Sequence, residues 1–313
     1  MRLRFYLGLA GLALALLIPL ASGSLYVLTV LILLLIFIIY ASAWNLLTYS
    51  GQGSLGHAAF FGIGGYASSL IALKMGLPPI ITIFIGGFFS AFIGILIGLT
   101  CIRLKEWFLA MVTFGFAIIA QTITVSQLAP ITGGWDGISS PRLLSSEIPF
   151  YNIYEYYIIL ALAILIILFI QMILKSKIGL ALAAIRENEL EARAAGIDTA
   201  KYKLLAFTIS TFLAGLAGAL EAHHFGYITP EIFGIELSFW PIIYSISGGL
   251  GTIEGPIIGT IAVTALWDGL RFLGLTYERF IIIGLMLILI VIFLPRGLIS
   301  LLEKIERLFQ IPR

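Results

Sequence analysis

The chain has 313 residues, 60% of them hydrophobic and 11% charged, with a formal net charge of +2 and a mean hydropathy of +1.10. So little polar surface cannot coat a soluble globule of this size, and so near-neutral a balance gives no reason to expect nucleic acid as a partner. The composition is that of an all-α, polytopic integral membrane protein. The single cysteine, Cys101, excludes an intramolecular disulfide and reads as a small packed side chain at the end of an apolar run.

The first apolar stretch, near 5–21, follows Arg2 and Arg4 and leads into small residues, a pattern shared by a first span and a secretory signal peptide. Either reading delivers Leu25 to the far side of the membrane. Further apolar runs lie near 25–45, 55–73, 79–102, 107–128, 156–174, 204–225 and 279–294, and several are long enough to cross about 30 Å of hydrocarbon. Region 235–271 holds two shorter apolar segments around the break "SGGLGTIEG" and reads as a re-entrant hairpin or two short spans. The expected whole is one transmembrane domain, 1–313, with about 8–10 helices, some broken or re-entrant.

Positive charge orients this chain in the cell membrane. With both termini cytoplasmic, the basic residues outside are Lys74, Arg142, Arg271 and Arg279, while the other fourteen lie inside. Counting 235–271 as one full span would spoil that bias, so the region is expected to return to the face it left. The loop "APITGGWDGISSPRLLSSEIPFYNIYE" reads as an external surface too poor in apolar residues to form a domain. In the tail, 296–313, Leu298, Leu301, Leu302, Ile305, Leu308 and Phe309 oppose Glu303, Lys304, Glu306 and Arg307, as in an interfacial amphipathic helix.

Ten charged residues fall between Lys175 and Lys203, the densest charge in the chain. Within this cytoplasmic loop, "LALAAIRENELEARAAG" is alanine- and glutamate-rich, lacks proline and ends at Gly196, so it reads as one short helix. Glu189 and Arg193 stand four apart in the favourable order, and Asp198 is placed to cap the helix that enters the membrane through "TAKYKLLAF". Three glutamates do not help a positive-inside loop. With the interleaved alanines they suit docking in a partner's groove better than solvation alone.

Catalytic apparatus is missing from the sequence. There is no G-x-x-x-x-G-K-[ST] phosphate loop and no H-E-x-x-H, and His57, His223 and His224 lack the neighbours a metal site needs, so neither enzyme activity nor a cofactor or metal is expected. Glu221, Glu236, Glu254 and Asp268 lie in or beside predicted spans; a proton- or sodium-coupled carrier could use them, although each is near a span end or glycine break. Two breaks, "SGQGSLGHAAFFGIGGYASS" and "SGGLGTIEGPIIGTIA", each put a Gly-x-Gly-[Ser/Thr] turn before an apolar helix on the same side. Such breaks serve either close packing or a substrate pathway. The pathway reading selects Asn45, Gly51, Gly53, Ser54, His57, Gly249, Gly251 and Thr252.

Five stretches in this order, "NLLTYSGQGSLGHAAFFGIGGYAS" (45–68), "TGGWDGI" (132–138), "AIRENELEARAAGIDTAKYKLLAFTISTFLAGLAGAL" (184–220), "GGLGTIEGPIIGT" (248–260) and "FLPRGL" (293–298), resemble the membrane permeases of ABC importers for branched-chain amino acids, in particular the M-type subunit of the Liv system. The resemblance implies a half-pore that pairs with a second, homologous permease, two cytoplasmic ATP-binding subunits and an external substrate-binding protein. It also implies an ATPase-coupling helix made by Arg186, Glu189, Glu191, Ala192, Arg193 and Gly196, with either glutamate in the leading position. Urea and amide importers share this architecture and remain an alternative within it.

Overall fold

The computed structural model describes residues 2–21, 24–101, 106–145, 147–301 and 304. These are mostly helical. The helices in chain order are α1 (Arg2–Ala21), α2 (Leu25–Thr48), α3 (His57–Met75), α4 (Pro79–Cys101), α5 (Glu106–Val125), α6 (Ala129–Thr132), α7 (Tyr151–Lys175), α8 (Lys177–Glu187), α9 (Glu189–Ala194), α10 (Thr199–Phe225), α11 (Ile235–Gly248), α12 (Glu254–Phe272) and α13 (Glu278–Phe293). Among them α2, α3, α4, α5, α7 and α10 are long and apolar enough to cross a membrane. With α1, α11, α12 and α13 they make the polytopic bundle expected from composition. Arg103, Lys105 and most of the expected tail helix, including Leu302, Glu303 and Ile305 to Phe309, lie outside the described residues.

α10 runs through the middle of the bundle, and small residues set how closely its neighbours approach. A Cβ on Gly64 of α3 would overlap the Gly215 backbone, and one on Gly218 would overlap the Phe61 carbonyl. On α4, Gly94 faces Thr211 and Gly98 faces Leu204 and Phe207, so this Gly-x-x-x-Gly pair serves packing against α10. Ser90 Oγ sits 2.9 Å from the Phe60 carbonyl and 2.8 Å from the Thr211 carbonyl, tying α4 to both partners. Around this trio, Ile32, Ile36, Ile39 and Tyr40 of α2 and Tyr156, Ile159 and Ile166 of α7 complete the buried core.

Two helices begin or end inside the bundle. The His57 ring, at the start of α3, stacks on Tyr40 at 5.7 Å, and Tyr40 lies eight residues, or about 12 Å, before the end of α2. The chain after Thr48 therefore folds back into the protein before α3 starts. After α10, strand β2 (Tyr227–Ile228) pairs antiparallel with β1 (Ile138–Ser139), and a 3-10 turn, Pro230–Phe233, leads down to the short α11. Phe233 stacks on Tyr66 at 5.8 Å and fills the space beside Gly62, which places this turn within the helical layer.

α11 and α12 form a tight hairpin. A Cβ on Gly248 would overlap the Gly255 carbonyl and one on Gly259 the Tyr244 carbonyl. The hairpin's turn lies beside Asn45 near the end of α2, whereas Asp268 of α12 accepts a 3.3 Å hydrogen bond from Tyr26 near the start of α2. Segment 235–271 therefore returns the chain to the end it came from, as the charge bias required. α13 then runs back, and the Leu298 amide donates to the Ser247 carbonyl at 2.9 Å.

At the opposite end the loop between α6 and α7, expected to be external, is pinned by buried polar contacts. His223 is fully buried, with Nδ1 2.6 Å from the Pro141 carbonyl and Nε2 2.7 Å from Ser68 Oγ. His224 pairs with Glu155 at 3.0 Å. The loop's Thr-Gly-Gly-Trp-Asp-Gly turn needs φ above +50° at Gly133, Gly134 and Gly137, and leaves Trp135 exposed.

One expectation is corrected. The charged segment is two helices, α8 and α9, broken at Asn188, whose backbone is extended (φ −158°, ψ 108°). Its side chain is the reason: Oδ1 accepts from the amides of Leu190 at 3.0 Å and Glu191 at 3.3 Å, a cap that outweighs the helix propensity of the surrounding alanines. Asn188→Ala should remove about 1 kcal/mol of cap stabilisation. Amide exchange at Leu190 and Glu191 should then accelerate about fivefold in hydrogen-exchange measurements.

Candidate functional site

α9 is tied to the start of α10 by its terminal turn and by side-chain bonds. Its end is a paired turn: Gly196, at φ +84°, donates to the Arg193 carbonyl at 2.9 Å, and Ile197 donates to the Ala192 carbonyl at 3.0 Å. Asp198 then caps α10 by accepting from the Lys201 amide at 3.1 Å, as its position in the sequence suggested.

Glu189 is the fastener between the two helices. Its Oε2 accepts from Lys203 Nζ at 2.5 Å, and its Oε1 accepts from Thr199 Oγ1 at 3.1 Å and from Arg193 Nη2 at 3.3 Å. Arg193 Nε also donates to Thr199 Oγ1 at 2.9 Å, closing the network. Partial burial alone would raise the Glu189 carboxyl, but the hydrogen bonds and charges of Lys203, Thr199 and Arg193 outweigh it and hold the group below the usual carboxylate range.

The opposite face of α9 is open. Leu190 is 76% exposed, and Glu191 and Ala194 share its side of the helix, while Ala192 is buried against the protein. Asn188 Nδ2 donates to Glu191 Oε1 at 2.6 Å, which orients that carboxylate on the surface. Thus Glu189 is engaged within the chain and Glu191 is presented outward. Leu190, Asn188, Thr199 and Lys203 were not among the residues selected from the sequence. A signal existed for one of them: an asparagine before a Glu-x-Glu run is a helix-start pattern.

The residues selected as a pathway fall into two groups. Asn45, Gly251 and Thr252 touch: Asn45 Nδ2 donates to the Thr252 carbonyl at 2.7 Å, and the Gly251 amide donates to Asn45 Oδ1 at 2.9 Å. Gly249 begins the same turn, with φ +142°. In the other break, Trp44 Nε1 donates to the Ser54 carbonyl at 2.7 Å, and Gly51 turns at φ +74°, while Gly53 has open space where a Cβ would sit. His57 lies deeper, with Nε2 3.3 Å from Ser210 Oγ. Both breaks open at the end of the bundle that carries α8 and α9.

A cavity of about 550 Å³ lies at the other end of α10. Its walls include Phe225, Ile232, Leu237 and Trp240, and three carboxylates, Glu221, Glu231 and Glu236, border it. Glu221 Oε2 is buried and has no hydrogen-bond partner among the described residues. Of these acids, Glu221 and Glu236 were visible in the sequence as charges within or beside apolar runs.

Residues 26–291 match the family described as the permease component of the branched-chain amino acid transport system. The chain belongs to that family. Curated relatives agree: the high-affinity branched-chain amino acid permease protein LivM of Escherichia coli is 31% identical over 295 residues, covering 86% of this chain and 69% of the relative. The probable branched-chain amino acid permease LivM of Methanocaldococcus jannaschii is 28% identical over 268 residues, 77% of each chain. A shorter likeness, 29% over 123 residues and 37% of this chain, reaches the ribose import permease RbsC of Escherichia coli, 38% of which it covers. No solved structure matches. The protein is thus a multi-pass permease component of an ABC transport system, and its resemblance in sequence was to its own family.

Proposed function

We propose that this permease forms one half of the membrane passage of an ABC importer for branched-chain amino acids. The observation that carries the reading is the α9 unit, fastened to the central helix α10 on one face and bare on the other. A displacement of α9 is transmitted to α10 because Glu189, Thr199 and Lys203 join them. Leu190 and Glu191 are the residues offered to an ATP-binding subunit, with Arg186, Ala192, Arg193 and Gly196 supporting the segment.

On this reading the end bearing α8 and α9 is cytoplasmic, as are both termini, and residues 1–313 form a single permease domain with a coupling loop at 175–203 and a tail at 296–313. The partners are a second homologous permease, two ATP-binding subunits and an external binding protein. Substrate reaches the cavity beside Glu221 from the external face. Its carboxylates suit the ammonium group of an amino acid and its Phe225, Ile232, Leu237 and Trp240 walls suit a branched side chain. Onward passage runs towards the breaks containing Gly51, Gly53, Ser54, His57, Gly249 and Thr252.

Uptake of labelled leucine by the complete complex in proteoliposomes tests this. Valine and isoleucine should compete, and urea and simple amides should not; the reverse preference would assign the urea and amide alternative. Glu221→Gln should raise the leucine concentration for half-maximal uptake about tenfold, the value of a charge-assisted hydrogen bond, with a smaller change in maximal rate. Leu190→Asp should abolish co-purification of the ATP-binding subunits; retention of both would remove α9 as their docking element.

A further inference from the structure

Three parts of the chain converge on the turn between α11 and α12. Asn45 of α2 holds the turn by the two backbone hydrogen bonds given above, as a strand would hold its neighbour. Arg186, in the last turn of α8, lays its guanidinium against Gly251 so closely that a Cβ there would overlap Nη1. Gly297, after α13, seats on the backbone of Gly248 and Gly249, and Leu298 bonds to Ser247. The turn itself is braced by Thr252, whose Oγ1 donates to the Gly249 carbonyl at 2.7 Å and accepts from the Gly255 amide at 3.0 Å.

Burial, and then the charge of Glu254 on α12, push the Tyr49 hydroxyl above its usual range, while Arg186 acts in the opposite direction. Gly251, at φ +69°, supplies both the left-handed backbone and the bare surface on which a guanidinium can rest.

We propose that Arg186 and Asn45 are positioning residues of a transmission joint, distinct from the Glu189 fastener. Arg186 carries a displacement of α8 into the Gly249–Thr252 turn, and Asn45 shares it with α2, so the α11–α12 hairpin moves with the coupling segment. The inference rests on the coupling role proposed for α8 and α9. Its basis is that a rigid turn contacted by α8 on one side and by α2 on the other cannot stay in place when α8 shifts, unless those contacts break.

The test uses the complete complex and measures ATP hydrolysis beside leucine uptake. Arg186→Ala and Asn45→Ala should each lower uptake about tenfold, with hydrolysis in Asn45→Ala, outside the docking segment, staying within about twofold of the parent, and the double variant should be no worse than either single one. Arg186→Lys should recover part of the loss. Loss of hydrolysis in parallel with uptake in Asn45→Ala, or an unchanged ratio of the two there, overturns the joint. A second readout does not require leucine to be the substrate: amide exchange across 247–256 should respond to ATP in the parent complex and not in Arg186→Ala. An ATP response that persists in the variant overturns the proposal. If the parent shows no ATP-driven uptake, the importer reading fails by itself, and the exchange measurement still decides the joint.

Discussion

Glu189→Ala is expected to lower ATP-driven uptake by about 30-fold without releasing the ATP-binding subunits. The carboxylate is the partner of a lysine that is almost wholly buried, since Lys203 has 4% of its surface exposed. Breaking a fully buried pair costs about 3–5 kcal/mol, because the remaining charge is left without compensation. Glu189 is itself one-third exposed, so water screens part of that loss and about 2 kcal/mol is the appropriate scale, or about 30-fold in the population of the joined state. Glu191→Ala removes no internal bond to α10 and should instead weaken docking. The two glutamates, equivalent by sequence, are thereby separated by measuring uptake and co-purification on the same samples.

The pH dependence follows from the direction of the Glu189 shift. A carboxyl held below its ordinary range contributes stability that is complete above the unfolded value and is lost as pH falls through the folded value. The α9–α10 link should therefore be constant from about pH 6 to pH 8 and weaken only in acid, below the usual carboxylate range. Following α9 by amide exchange against pH would show this. Weakening centred near neutral pH would contradict the assigned network.

Gly218→Ala is the second large expected effect, on folding rather than transport. Its Cβ would be driven into the Phe61 carbonyl, and backbone on both helices leaves no flexible side-chain end to yield. Overpacking a close helix contact costs about 1–3 kcal/mol in softer sites, and a backbone clash belongs at or above the upper limit. Detergent-solubilised protein should lose most of its monodisperse fraction. Gly64→Ala should behave alike, since its Cβ meets the Gly215 backbone. Gly115→Ala and Gly284→Ala, where a Cβ meets nothing within 4 Å, are the controls and should match the parent.

Sequence reading was most successful where the causes are local. The Gly196 stop, the Asp198 cap and the Glu189–Arg193 pair depend on residues within a few positions, and each is present as the spacing suggested. The hairpin at 235–271 followed from the bias of charge across the membrane, a property of the whole chain. The single helix expected across 180–196 failed because propensity summed over a window hides one strong cap, and Asn188 was that cap.

Contacts between distant segments were not legible. Nothing local marks Lys203 as the partner of Glu189, 14 residues away and in another helix. Asn45 and Gly251 are separated by 206 positions and meet only because α2 and the α11–α12 hairpin pack together. The Glu221 cavity depends on a turn, Pro230–Phe233, that carries the chain back into the helical layer. The acids were visible as costly charges in apolar surroundings, whereas the space between them was not.

The energy source of transport tests the account most directly. Leucine uptake should be measured in proteoliposomes containing this permease, its second permease and the two ATP-binding subunits, with the binding protein outside and ATP trapped inside. Uptake is predicted to require internal ATP, to persist when an ionophore collapses the proton and sodium gradients, and to fall about 30-fold in Glu189→Ala. Uptake by this chain alone that is indifferent to ATP and abolished by the ionophore would contradict it.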